Sequence, residues 1–315
     1  MEIKNSGLDQ AIKEIKKVIV GKDEIIEKVL IAILARGHVL IEDIPGVGKT
    51  TLALALSKVL QLDYRRMQFT PDVLPSDVIG FQMYMSDGES QYRPGCILCN
   101  LFLADEINRT SSKTQSALLE VMEEGRVTVD GVTRELPKPF TVIATQNPIG
   151  SVGTQMLPES QMDRFMVRLS MGYPDIASEI ALLKDRHEGN PLEQVRQAVT
   201  RQELISMQET VEMVYIHDAV YDYIARLVQK TRENPVLALG VSPRGTLSIA
   251  NMAKAVAFRR GRGYVIPDDV RDIFEAVTAH RMILSPKARV NRITMEEAVG
   301  QILASVSAPR LVAKR

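Results

Sequence analysis

The run Asp43-Ile44-Pro45-Gly46-Val47-Gly48-Lys49-Thr50-Thr51 has the residue types and spacing that grip phosphate. Gly46 and Gly48 let backbone amides close around phosphate oxygens, and a helix starting there adds the positive end of its dipole. The Lys49 ammonium would reach the β- and γ-phosphates of a nucleoside triphosphate, and the Thr50 hydroxyl would hold Mg²⁺. One position departs from the strict pattern: Asp43 stands where glycine is expected. That glycine serves the turn leaving the strand, and aspartate tolerates a left-handed turn better than most residues. Alone, the loop also reads as an ordinary glycine turn with a lysine beside it.

A second group of candidates follows about fifty residues later. Leu101-Phe102-Leu103-Ala104 runs straight into Asp105-Glu106. A buried strand that ends in two carboxylates presents them at its carboxyl end, where open α/β sheets bind ligands. Asp105 would support Mg²⁺ with a hard oxygen ligand, and Glu106 would orient and deprotonate an attacking water. Taken alone, the pair could equally cap a helix. The apolar run Thr141 to Thr145 leads to Gln146-Asn147-Pro148, so Asn147 could hold the same water or the γ-phosphate; an Asn-Pro turn reads the same way.

These residues need a scaffold, and hydrophobic patterning supplies one. Val39-Leu40-Ile41, Leu101 to Ala104, Thr141 to Thr145 and Val167-Arg168-Leu169 are short apolar runs between helical patterns, with a weaker strand from Arg65 to Phe69. Strands of this kind are buried on both faces and predict a parallel α/β sheet. After Tyr173-Pro174 the pattern predicts helices and no strand. Val220, Ile224, Leu227 and Val228 form one apolar stripe, and Thr294 with Glu297 forms a capping box. The expected organisation is an α/β domain over residues 1–190 and a smaller helical domain over 191–315, with Glu188-Gly189-Asn190-Pro191 as the linker.

Composition narrows the function. The chain has 315 residues, 45% apolar and 25% charged, and its 39 basic residues equal its 39 acidic ones. No global field advertises nucleic acid or an anionic membrane. Cys96 and Cys99 have no second ligand pair at zinc spacing, so they read as two small residues beside a strand. The first residues are polar and no apolar run approaches the ~20 residues that span a bilayer. The expectation is a soluble, cytoplasmic protein.

Taken together, the motifs are more specific than any one of them. Ala104 to Arg109, Gln115 to Glu123, Ala144 to Pro148 and Leu157 to Met166 resemble the MoxR family of AAA+ ATPases, as do Gln68 to Asp72, Leu74 to Asp77 and Ser242-Pro243-Arg244. The resemblance covers nearly the whole chain. It implies a P-loop αβα sandwich with a parallel sheet, followed by an all-α lid, and an enzyme that hydrolyses ATP with Mg²⁺. It implies that Arg164 is an arginine finger and Arg244 a second sensor, and that Val20-Gly21 receives adenine. For Arg164 an ion pair with Asp163 or Glu159 is the structural alternative. For Arg244, a cation at the positive end of a helix gains nothing from the dipole, which points to a phosphate partner.

Two segments resemble the inserts of the family's branch. Gly125 to Arg134 alternates around Asp130-Gly131, a type I′ hairpin signal, and Phe81 to Gly95, centred on Asp87-Gly88, resembles the insert that interrupts the second helix. Either they contact a partner or they pack on a ring neighbour. The family resemblance implies a homo-hexameric ring and a protein partner, often one bearing a von Willebrand factor A domain, in metal insertion or complex assembly. A nucleic-acid motor, a metal-chelatase-type ATPase subunit and a slow nucleotide switch are the alternatives.

Overall fold

The computed structural model describes residues 6–86, 89–147, 156–187 and 190–310. The Asp87-Gly88 turn, Pro148 and the Glu188-Gly189 half of the expected linker lie outside them. Helices α1 (Ser6–Lys16) and α2 (Asp23–Leu34) precede β1 (Val39–Glu42), the phosphate loop and α3 (Lys49–Val59). Next come β2 (Tyr64–Gln68), α4 (Pro75–Ile79), β3 (Gly80–Tyr84), β4 (Ser90–Pro94), β5 (Leu101–Asp105) and α5 (Ser112–Glu124). A hairpin of β6 (Arg126–Val129) and β7 (Val132–Glu135) leads to β8 (Thr141–Gln146), α6 (Glu159–Met162) and β9 (Val167–Leu169). The rest is α7 (Ile176–His187), α8 (Arg201–Glu212), α9 (Asp218–Glu233), β10 (Leu237–Leu239), α10 (Pro243–Arg259), α11 (Pro267–Thr278), β11 (Ile283–Leu284), α12 (Pro286–Val290) and α13 (Met295–Ser305).

The main sheet is parallel, in the order β2-β5-β8-β1-β9. Alternate residues of each strand feed two separate cores. Val39, Ile41, Leu101, Leu103 and Ile143 join the core shared with α1, α2, α3 and the C-terminal helices. Leu40, Phe102, Ala104, Val142 and Ala144 pack against Leu118, Leu119 and Met122 of α5. Strand β2 sits at the edge with half-exposed residues, so its pattern is the least apolar. Capping sets several helix starts: Ser111 accepts from Thr114 N at 3.3 Å, and Thr200–Glu203 and Thr294–Glu297 form capping boxes.

Two expectations need correction. The C-terminal region is not purely helical: β10 and β11 pair antiparallel. Three- and two-residue strands are too short to show a period. The segment Phe81 to Gly95 does not interrupt a helix, because no helix resumes after it. The β3–β4 hairpin folds back on α4 instead, with Cys96 N donating to Asp77 O at 3.0 Å and Ile97 N to Val78 O at 3.1 Å. Cys96 and Cys99 form no disulfide.

His38 locks the amino end of β1. Its Nε2 lies 2.9 Å from Met122 O, and Val142 N donates to its Nδ1 at 3.0 Å. Burial holds the imidazole neutral, lowering its pKa from 6.5 to about 4. Between those values the unfolded chain binds the proton and the folded one does not, so stability falls as pH drops from 6.5 towards 4. The expected loss is roughly 3 kcal/mol, read as a fall in urea midpoint that His38→Gln largely removes.

Candidate functional site

The phosphate loop leaves β1 in the middle of the sheet and ends at α3, whose N-terminal residue is Lys49. Gly46 and Gly48 have φ of 86° and 94°, a region that L-residues with side chains rarely occupy. A Cβ on Gly46 would meet nothing within 4 Å, so the loop is an open cradle rather than a packed turn. Pro45 is exposed, and Val47, Gly48 and Thr51 line a cleft with Val18, Ile19, Val20 and Met171. Gly21 stands beside that cleft at φ 71°, and a Cβ there would lie 2.2 Å from Ser178 Oγ. The structure therefore puts Val20 on the cleft wall and requires glycine after it.

Lys49 Nζ donates to the Asp43 carbonyl at 2.7 Å. Partial burial lowers the Lys49 pKa, while the charges of Asp43, Asp105 and Glu106 act in the opposite sense. Strands β1, β8 and β5 run parallel, so the loop that follows β1 and the acids that end β5 leave the sheet at the same edge. Asp105 Oδ1 accepts from Thr145 Oγ1 at 2.6 Å and Oδ2 from Arg66 at 2.7 Å. The Thr145 hydroxyl also accepts from Glu106 N at 2.8 Å, so one side chain aligns both acids. Glu106 adopts a left-handed φ of 56°, a strained state of the kind that clusters at functional sites. Its Oε2 accepts from Gln68 Nε2 at 2.9 Å and Arg109 at 2.8 Å. Asn147 lies one residue past β8, with its carbonyl 3.4 Å from Asn108 Nδ2. The sequence assigned no role to Thr145, Arg66, Gln68 or Arg109; Thr145, Gln68 and Arg109 lie within the family-like runs, and Arg66 carried no signal.

Thr50 and Asp105 offer hard oxygen donors, the chemistry magnesium takes. Among the described residues, no three or more His, Cys, Asp or Glu converge as a metal cage. Magnesium is usually held by one or two carboxylates plus substrate phosphates, so this donor set fits.

Asp43 behaves differently from the sequence-based expectation. Its backbone is not left-handed. The side chain is buried and works as a strap: Oδ1 accepts from Ile44 N at 2.8 Å, and Oδ2 from Gly172 N at 2.6 Å and Ser170 Oγ at 3.1 Å. The strap fixes both neighbours of Met171, which lines the cleft. Restoring the motif glycine would leave those donors unmatched. Asp43→Gly is therefore expected to cost about 1–3 kcal/mol in denaturant unfolding and to weaken nucleotide binding, not strengthen it.

The two arginines lie elsewhere. Arg164 donates to Leu119 O at 2.8 Å and pairs with Glu123 Oε2 at 2.9 Å, not with Asp163 or Glu159. Arg244, at the start of α10 behind the Ser242 cap, pairs with the other oxygen of Glu123. Its partner within the chain is thus a carboxylate. Glu123 adjoins Met122, and Arg164 adjoins the segment where Met166 N donates to His38 O at 2.8 Å. Both arginines therefore stand by the amino ends of the strands. The phosphate loop is at the carboxyl ends, roughly 13 Å away along a four-residue strand.

The AAA family model (ATPase family associated with various cellular activities) matches residues 38–167, and an AAA lid domain model matches 229–311. Chaperone MoxR1 of Mycobacterium tuberculosis is 39% identical over 96% of this chain and 83% of its own. The chain belongs to the MoxR family of AAA+ ATPases. Protein MoxR of Methylorubrum extorquens is 30% identical, with 94% of each chain covered. A crystal structure from Cytophaga hutchinsonii, of a protein provisionally assigned as an ATPase, superposes with a TM-score of 0.89 at 36% identity over 96% of this chain and 95% of that one. As a MoxR-family AAA+ protein the chain is an ATP hydrolase with a parallel-sheet core and a helical lid region. Among the described residues no helix is long and apolar enough to cross a membrane.

Proposed function

We propose that this MoxR-family ATPase hydrolyses Mg-ATP in a homo-oligomeric ring, most simply a hexamer, to remodel or activate a protein partner in the cytoplasm. The observation that carries this reading is the split between the two clusters. Lys49, Asp105 and Glu106 share the carboxyl end of the parallel sheet, while Arg164 and Arg244 share a carboxylate at the other. A site of this type needs positive charge opposite Lys49, and an adjacent copy in a head-to-tail ring supplies it.

In this scheme Val20 and Gly21 border the base, and the amides of residues Gly46 to Thr51 hold the phosphates, with Pro45 and Val47 shaping the loop. Lys49 leaves the Asp43 carbonyl for the γ-phosphate. Thr50 and Asp105 would hold magnesium, which would supply positive charge against the phosphate oxygens. Glu106 takes the proton of the attacking water, and Asn147 orients that water or the γ-phosphate. Arg164 and Arg244 of the neighbour stabilise the charge that develops on the transferred group. The chain divides near residue 190, into a core over 1–190 and a lid over 191–315.

The partner surface we favour is the pair of hairpins. Arg134 lies 3.8 Å over the Tyr92 ring, and Tyr84 OH donates to Asp130 at 3.4 Å, so they brace each other. Asp130 and Gly131 have φ of 49° and 76°, the type I′ turn. Phe81, Tyr84, Met85 and Val132 stay exposed around them. The tip carries Asp130, and Arg126 at the base is paired with Glu124, so the β6–β7 hairpin offers no basic tip for nucleic acid. The partner implied by the family resemblance is a chain with a von Willebrand factor A domain; the metal-chelatase type of subunit is the variant of the same scheme.

The test uses Glu106→Gln protein, which should hold ATP without hydrolysing it, as bait. Capture of a von Willebrand factor A domain protein with ATP but not ADP, lost when Tyr84 and Val132 become serine, is the expected outcome. Equal recovery with both nucleotides would remove the remodelling role.

A further inference from the structure

Between the arginine finger and the lid lies a buried ionic cluster that the reaction itself does not use. Arg281 follows α11, and its side chain is 1% exposed. Its Nε donates to Asp163 Oδ1 at 2.7 Å. One guanidinium nitrogen donates to the carbonyls of Asp163 at 3.0 Å and Phe165 at 2.6 Å, and the other to that of Met166 at 3.2 Å. Three backbone carbonyls around Arg164 are thus held by one side chain. Ser242 Oγ donates to the same Asp163 carboxylate at 2.9 Å while accepting from Gly245 N at 3.0 Å as the cap of α10. A Cβ on Gly245 would lie 2.7 Å from Arg281 Cδ, so glycine beside Arg244 is what admits the arginine stem.

Removing a guanidinium from water costs several kcal/mol, recovered only with a paired carboxylate and satisfied donors. An apolar side chain would fill this space more cheaply, but it could not fix carbonyls in place; the planar fork of arginine can. Glu123 completes the assembly by bridging Arg164 and Arg244 at its outer edge.

We propose that Arg281 is a positioning residue that joins the Arg164 segment to the start of α10, so that Arg164 and Arg244 reach the neighbouring subunit's nucleotide as one rigid unit. The start of α10 is thereby locked to the Arg164 segment, and neither arginine can engage without the other. This rests on the reading that the two arginines act across a subunit interface.

The test is mixing. Arg281→Met protein is expected to bind ATP like the parent chain and to hydrolyse it about 10²-fold more slowly, the effect of misplacing a group by about an ångström. Mixed with Lys49→Ala protein it should regain activity, because its intact phosphate loop then faces an undisturbed pair of arginines. A residue that merely supports the fold would give no such recovery. Arg164→Ala mixed with Lys49→Ala is the control. Recovery in the control but not with Arg281→Met, in mixed rings that assemble, overturns the role of Arg281 alone. No recovery in the control removes the cross-interface reading and this proposal with it. If Arg281→Met does not fold, Gly245→Ala, whose Cβ presses on Val241 and on the Arg281 stem without removing its charge, goes through the same mixing with the same two outcomes.

Discussion

Arg164→Ala is expected to lower ATP hydrolysis by roughly 10³- to 10⁵-fold, the range an arginine finger contributes. Within its own chain Arg164 pairs with Glu123 by the amino ends of the strands, a strand's length from Lys49. The loss should therefore leave ATP affinity nearly intact and appear in turnover. Lys49→Ala protein should be equally inactive for a different reason, the loss of its grip on the β- and γ-phosphates. In a random equal mixture about one site in four combines an intact Lys49 with an intact facing Arg164. Activity of that order should return, and a steady-state assay over mixing ratios reads it directly. If assembled mixed rings stay silent, the finger acts within its own chain or not at all.

The second large effect concerns the water. Glu106→Gln should slow hydrolysis by about 10²- to 10⁴-fold, since an amide cannot accept the proton that a carboxylate does. The substitution is nearly isosteric, so the left-handed turn at φ 56° and the contact with Thr145 through the backbone amide should survive. Equilibrium binding of a fluorescent ATP analogue should match the parent chain, while single-turnover hydrolysis falls. Gln68 and Arg109 both donate to Oε2 of Glu106, so they can orient the carboxylate while its other oxygen meets a water. Gln68→Ala is the informative partner variant in the same assay. Turnover close to the parent's in Glu106→Gln would assign the base to another group.

The sequence by itself determined the local parts. Glycines at 46 and 48, followed by Lys49, dictate the open left-handed loop before α3, because few other residues tolerate φ near +90° beside a helix start. Leu101 to Ala104 then Asp105 dictates a buried strand with an acid at its tip, and Asp130-Gly131 dictates its own turn. These signals are short-range: the residues that express them are neighbours in the chain. The short pair β10 and β11 escaped because strands of three and two residues carry no period. Only the tertiary structure decided the rest. Thr145 meets Asp105 across 40 positions, Asp43 reaches Gly172 across 129, and Arg281 reaches Asp163 across 118. No spacing rule links such residues, because their distance is set by how the sheet and the lid helices pack. For the same reason the sequence named Arg164 and Arg244 separately, while packing alone brought both to one carboxylate, Glu123.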